Sequence, residues 1–83
     1  MQLYVVYLGG ALSPGRMGED HEVVLVVAES VKDARAKAKK KWRGDSRAHV
    51  DAVARVAVVD GHRIAPEPTD EPDSIETDDT YVP

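Results

Sequence analysis

The sequence predicts a small two-layer α+β domain of ββαββ order, with a mostly antiparallel sheet and one helix on one face. Two apolar runs rich in β-branched residues precede a single helical segment, and two short strands follow it around an Asp-Gly turn. The chain has 83 residues and no cysteine, so it holds one domain without disulfides or a cysteine-based zinc site.

The first two strands are predicted at residues 3–8 and 23–27, where apolar residues follow one another without polar alternation. Strands of this kind need cover on both faces. Gly9 and Gly10 end the first run, and a Ser-Pro-Gly turn follows within a loop spanning residues 9–20. The order strand, loop, strand predicts an antiparallel hairpin.

The helix is predicted to begin at Ser30, whose hydroxyl can cap it, with Asp33 at the reciprocal capping position. Gly44 is expected to end it. An apolar stripe at helical spacing is formed by Val31, Ala34, Ala38 and Trp42. Because the stripe is mostly alanine, the helix is expected to lie close to the sheet.

The rest of the helix surface is basic, and it comprises Lys32, Arg35, Lys37, Lys39, Lys40, Lys41 and Arg43. Such a face suits phosphates and makes a nucleic-acid accessory protein one alternative function. The net charge of −4, the lack of aromatic residues on this face and the absence of a recognised binding motif favour a solvated surface instead.

The third strand is predicted at residues 56–59 and the fourth at 62–64, joined by the Asp60-Gly61 hairpin turn. Residues 52–55 fit either a helical turn or the start of a strand. Since one helix covers only one face of the sheet, the other face is expected to pair with a second copy in a homodimer or larger symmetric assembly. The alternative is a thin monomer whose outer face is shielded by the 9–20 loop.

Charge divides the chain into a domain at residues 1–65 and a tail at residues 66–83. The domain has eleven basic and eight acidic residues, a net charge of +3, whereas the tail has seven acidic residues, no basic ones and four of the five prolines. Such a tail cannot bury enough apolar area to offset the entropy of ordering, so it is predicted to be disordered. Alternatively, it folds back on the basic surface.

No stretch is long enough to span a membrane, and the first residues lack the basic region of a signal peptide. We therefore expect a soluble, cytoplasmic protein without a membrane partner.

Ionisable side chains gather beside the starts of two strands. His21 precedes the second strand, and His49 and Asp51 precede the third; if those strands are neighbours, the imidazoles meet at one end of the sheet. Glu19 and Glu22 would add carboxylates. This set can bind zinc, iron or another divalent ion through His21, His49 and Asp51, or form a carboxylate-oriented general base. The ordinary alternative is that each histidine caps a strand end.

A second candidate feature is the Pro-Gly-Arg sequence at residues 14–16. Glycine-rich backbone can present N–H groups to an anion, and Arg16 can clamp it. The segment is neither a dinucleotide-binding fingerprint nor a P-loop, so a connecting loop is the alternative. His62 follows the hairpin turn and is expected to face solvent.

Several of these segments together resemble a small bacterial family of unknown function. They are the Leu-Tyr-Val-Val-Tyr-Leu-Gly-Gly start, the Gly-Arg-x-x-Glu-x-His loop, Trp42, the His-Val-Asp-Ala segment at residue 49 and the Val-Asp-Gly hairpin. The resemblance covers about residues 2–65 and excludes the acidic tail. Glu22 stands where the family usually has Asp, Val24 and Leu25 where it often has two Phe, and His62 where it has Tyr. The resemblance implies no reaction, but it favours one group formed by Arg16, Glu19, His21, His49 and Asp51.

The sequence therefore indicates a homodimeric binding or structural domain that takes a small ligand or a protein partner. The alternative is a small hydrolase or lyase, with or without a divalent metal. In such an enzyme, His21 or His49 would be the general base, and Asp51 or Glu19 would orient that histidine. Arg16 would bind a substrate anion.

Overall fold

The computed structural model describes residues 1–15, 17–44 and 47–80. The elements are β1 (Gln2–Gly10), β2 (Asp20–Ala28), α1 (Val31–Lys40), β3 (His49–Val56), β4 (Val58–Val59) and β5 (His62–Arg63). One helix on an antiparallel sheet confirms the predicted α+β class.

β1 is the central strand of a three-stranded sheet with the order β2-β1-β3, and both neighbours run antiparallel to it. Val6 lies opposite Val24 on one side and Val53 on the other. Side chains alternate between the two faces of a strand, so Tyr4, Val6 and Leu8 share one face. All three are buried, which identifies this face as the one that α1 covers.

The prediction for the third strand was wrong in its boundaries. β3 runs over His49–Val56, so residues 52–55 are strand, and β4 begins only after a break at Ala57. β3 has few consecutive apolar residues, yet it pairs with β1 from Gly9 to Leu3. Pairing with a buried central strand outweighs the weak local preference of these residues.

The helix begins as predicted. Ser30 Oγ accepts a hydrogen bond from the Asp33 backbone N–H at 3.1 Å, and Asp33 Oδ2 accepts one from the Glu29 N–H at 3.2 Å. The shorter Asp side chain thus reaches the residue before the cap instead of the cap itself.

The helix ends at Lys40, a turn earlier than predicted, and Gly44 has another role. A Cβ at Gly10 would lie 3.0 Å from Trp42 Cζ2, and one at Gly44 would overlap the Trp42 indole. Trp42 therefore leaves the helix to pack between two glycines. The apolar stripe is also shorter than predicted, because Val31 is 45% exposed while Ala34 and Ala38 are buried.

Asp60 and Gly61 have φ angles of 52° and 75°, as a two-residue type I′ turn requires, which confirms the hairpin. β4 and β5 form their own two-stranded sheet and contact mainly each other. Residues 66–80 contain neither helix nor strand. Within the described ranges, no helix is long and apolar enough to cross a membrane.

Candidate functional site

Gly9 is the residue around which the candidate site forms. In the sheet register it lies opposite His21 on β2 and opposite His49 on β3. β2 and β3 are not neighbours, because β1 lies between them. The two histidines nevertheless flank one position of the central strand, and that position has no side chain.

A β-bulge adds Asp51 to the same face. The β1–β3 register shifts between Tyr7 and Leu8, so Tyr7 lies opposite Ala52 and Leu8 opposite Val50, which leaves Asp51 unpaired. An extra residue in one strand lets two successive side chains lie on one side of the sheet. Asp51 therefore faces the same side as His49.

Glu19 reaches the site from the loop before β2. Gly18 has a φ of 91°, a conformation that favours glycine, and Leu12 N–H donates to Asp20 Oδ2 at 3.1 Å across the loop. By strand alternation, Glu19 and His21 project to the same face. The loop thus places a carboxylate beside the two histidines.

The four side chains make direct polar contacts. His49 Nε2 lies 2.6 Å from Glu19 Oε1 and 3.0 Å from Asp51 Oδ1, and His21 Nδ1 lies 3.4 Å from Asp51 Oδ2. One ligand atom from each of Glu19, His49 and Asp51 fits within a mutual separation of 4.8 Å. All three residues are exposed, so the group is open to solvent on one side.

The group occupies the space that a side chain at Gly9 would fill. A Cβ there would overlap Glu19 Oε1 and would lie 2.8 Å from His49 Nε2 and 3.0 Å from Asp51 Oδ2. The contact atoms are the ends of three side chains. Among the described residues the three nearest atoms all belong to side chains of the site, so it is the site that requires glycine here.

The Tyr7 ring packs against the His21 ring. Their rings stack with centroids 4.9 Å apart and an interplanar angle of 16°. Both project to the face opposite α1, where they are diagonal neighbours two register positions apart. This contact fixes the plane of the His21 ring while its Nδ1 points toward Asp51.

Glu22, a predicted ligand-binding residue, is not part of this group. Glu22 lies on the helix side of the sheet, opposite Leu8, and its largely buried carboxylate accepts a 2.5 Å hydrogen bond from Arg43 Nε. It is thus separated from the group at Gly9 by the thickness of the sheet. Arg16 lies outside the described residues. His62 is on the β4–β5 hairpin, where its Nδ1 lies 2.8 Å from the Asp60 carbonyl oxygen.

Part of the basic helix face contacts the domain itself. Lys37 Nζ donates to the Val27 carbonyl at 2.8 Å, and Lys41 Nζ donates to the Leu25 carbonyl at 2.6 Å. Because β2 is an outer strand, these lysines cover carbonyls that would otherwise be available for strand pairing. These two lysines and Arg43 thus already have partners within the domain.

Gly9 and Tyr7 are the site residues that the sequence analysis missed. A signal was present, because a glycine in a strand interior often marks close approach by a neighbouring group. The Gly-Gly pair predicts a strand end, yet both residues belong to β1.

A family model described as Domain of Unknown Function (DUF1543) matches residues 16–65, more than half of the chain. The chain belongs to this family. The matched DUF1543 segment contains Glu19, His21, His49 and Asp51, whereas Gly9 precedes it. No curated protein and no solved structure shows a significant match to the chain. The predicted membership in a family of unknown function is confirmed, and its bacterial origin stays a prediction.

Proposed function

We propose that this DUF1543 domain binds a divalent transition-metal ion through Glu19, His49 and Asp51. The observation that carries the proposal is the convergence of their ligand atoms within 4.8 Å of one another, in the space left by the missing side chain of Gly9. One imidazole nitrogen faces two carboxylates there. One imidazole N–H donates a good hydrogen bond to only one acceptor, whereas a cation can be bound by the imidazole and both carboxylates at once.

The chemistry of the ligands favours one class of metal. Imidazole suits zinc, iron, nickel and copper, while calcium and magnesium prefer sites made of oxygen ligands alone. Catalytic zinc and non-haem iron sites also combine imidazole with carboxylate, although they commonly use two histidines and one carboxylate. We therefore expect zinc and its first-row neighbours to bind in preference to magnesium.

His21 is assigned to the periphery of this site. Its Nδ1 lies 3.4 Å from Asp51 Oδ2, while the other oxygen of Asp51 faces His49. A hydrogen-bonded neighbour that orients a ligating carboxylate raises metal affinity. His21, held by its stack on Tyr7, is in that position.

A second candidate function is hydrolysis at the same site. The observation that favours it is the sharing of Asp51 by both imidazoles, because a carboxylate that orients a histidine is a common general-base arrangement. If Glu19, His49 and Asp51 held a metal ion, the open side of the site would leave room for water, whose pKa such an ion would lower toward neutrality. Zinc-dependent hydrolysis of p-nitrophenyl acetate that disappears in His49→Ala would support this candidate.

Isothermal titration calorimetry tests the metal proposal on tag-free full-length protein. We expect one zinc ion per chain, with affinity reduced at least about tenfold in His49→Ala and in Glu19→Gln. The matched control is His62→Ala, which removes a histidine that is outside the site and leaves binding unchanged. Equal zinc affinity in the His49 and His62 variants would contradict the proposal.

The three histidines also allow a test by NMR. Mn²⁺ broadens the resonances of nuclei near it, so we expect substoichiometric Mn²⁺ to broaden the ring signals of His49 and His21 before those of His62. Uniform broadening of all three would indicate only loose binding to surface carboxylates and would contradict a defined site.

A further inference from the structure

The sheet face opposite α1 is apolar, and no helix or strand among the described residues covers it. Val23 is 61% exposed and Leu25 is 41% exposed, so the 9–20 loop does not shield this face. Strand alternation and the register assign nine residues to it: Leu3, Val5, Tyr7, Val23, Leu25, Val27, Ala52, Ala54 and Val56. A continuous apolar sheet face of this kind marks an interaction surface.

The β4–β5 hairpin, residues 57–64, which we call the arm, exposes two valines opposite Arg63 and His62. Val58 is 61% exposed, Val59 is also exposed, and the two strands contact mainly each other. An isolated two-stranded hairpin is at best marginally stable in water. The arm therefore needs a surface to pack on.

The arm is separate from the sheet of its own chain. β3 ends at Val56 and β4 begins at Val58, so Ala57 alone joins them. In the part of the chain that the structure describes, the arm strands contact mainly each other, and Val23 and Leu25 on the sheet face remain exposed. The arm therefore leaves the sheet face of its own chain open to a partner.

Interface size argues for the arm as part of the contact. Three strands of about seven residues have a footprint of only about 300 Å² from standard strand spacings. Stable interfaces bury about 800 Å² of accessible surface per partner, so an arm that adds contact area to this small face favours a stable pair. One apolar face and one arm with exposed valines on each chain can pack together in a two-fold pair, where each contact occurs twice.

We propose that two copies of this chain form an arm-exchanged dimer, with the arm of each copy packed on the uncovered sheet face of the other. The proposal does not depend on the metal site. The chain's own tail is the competing occupant, because Asp73 and Ile75 border a groove with Leu25. Ile75 is 75% exposed, however, so it does not seal the face.

Sedimentation equilibrium on the full chain tests the pairing. We expect a mass of twice 9.0 kDa at micromolar concentrations. Leu25→Glu on the face and Val58→Asp on the arm should each raise the dimer dissociation constant at least about tenfold, which corresponds to about 1.4 kcal/mol. Val31→Glu is the matched control, because Val31 is 45% exposed on the helix, away from both surfaces.

Two outcomes would overturn the proposal. One is a monomer at about 100 μM, well above the concentrations at which standard interfaces assemble. The other is a dimer that Val58→Asp leaves intact, since the arm would then contribute nothing. Far-UV circular dichroism checks that the variants stay folded, and both substituted side chains are exposed, so the core is unchanged.

Cross-linking distinguishes exchange from contact within one chain. The chain has no cysteine, so Val23→Cys and Val58→Cys each introduce a single thiol. When the two variants are mixed, a short bismaleimide should join them into a product of twice the monomer mass. If the double variant instead cross-links within one chain and the mixture yields no mixed product, arm exchange is wrong.

Discussion

The His49 imidazole occupies the space that a side chain on Gly9 would fill, since a Cβ built there would lie 2.8 Å from His49 Nε2. The two residues are opposite each other in the β1–β3 register. The same missing side chain admits Glu19 and Asp51. A glycine in the central strand is thus the condition for a polar site on an otherwise apolar sheet face.

Gly9→Ala should abolish most metal binding while the fold remains intact. The added Cβ meets only the ends of side chains, which can move away, so the backbone need not shift. We expect zinc affinity to fall about 10- to 100-fold, as when the groups that orient metal ligands are lost. Calorimetry measures the affinity, and urea unfolding measures the stability.

Gly10→Ala is the matched control for that experiment. Its Cβ would lie 3.0 Å from Trp42 Cζ2 on the helix side of the sheet, away from the metal ligands. We expect a loss of about 1–3 kcal/mol in the free energy of unfolding from overpacking, with zinc affinity unchanged. The reverse pattern in the two variants would refute the assignment of Gly9 to the site.

Zinc affinity should fall as the pH is lowered from about 7.5 to about 5.5, because protons compete with the metal for imidazole. Any binding that remains in His49→Ala comes from carboxylates and should change less over the same range. Calorimetry in buffers of different ionisation enthalpy also counts the protons released. A wild-type affinity that is constant across this range would exclude His49 as a ligand.

Replacing Lys37 and Lys41 with serine should increase aggregation. Their ammonium groups donate to the Val27 and Leu25 carbonyls on the outer strand β2, so their removal leaves an open strand edge. Light scattering during incubation at 37 °C gives the measurement. The Lys39→Ser, Lys40→Ser double variant removes the same charge from exposed positions and should aggregate like the wild type. Equal aggregation of the two double variants would contradict the role of the lysines at the edge.

Leu8→Ala should destabilise the domain by about 2–5 kcal/mol, the usual cost of truncating a fully buried leucine. Val31→Ala, at a 45% exposed helix position, should change the free energy of unfolding by less than about 0.5 kcal/mol. Urea denaturation at one protein concentration measures both. A small effect at Leu8 would mean that the core lies elsewhere.

The features predicted correctly are those that depend on neighbouring residues. The Ser30 cap is a hydrogen bond from the Asp33 N–H, three residues along the chain. The Asp60-Gly61 turn depends on the φ angles of two adjacent residues. The apolar runs in β1 and β2 predict a strand in each case. Both strands are longer than these runs, because residues such as Gly10 and Asp20 join the strands through pairing and not through propensity.

The features predicted incorrectly depend on contacts between residues that are distant in sequence. By sequence, residues 52–55 fit either a helical turn or a strand, and the strand at residues 49–56 forms through pairing with β1. The helix ends early because Trp42 packs against two glycines, one of them more than thirty residues away in sequence. No local pattern carries that information.

For this DUF1543 domain, the sequence by itself determined the α+β class, the single capped helix, the type I′ hairpin and the candidate ionisable residues, since these depend on local conformational preference and apolar patterning. Only the tertiary structure decided which of those residues meet. The strand order β2-β1-β3 placed His21 and His49 on either side of Gly9, the bulge turned Asp51 to their face, and alternation sent Glu22 to the opposite one. In a sheet, a shift of one residue changes the face of a side chain, and pairing between distant strands sets that register.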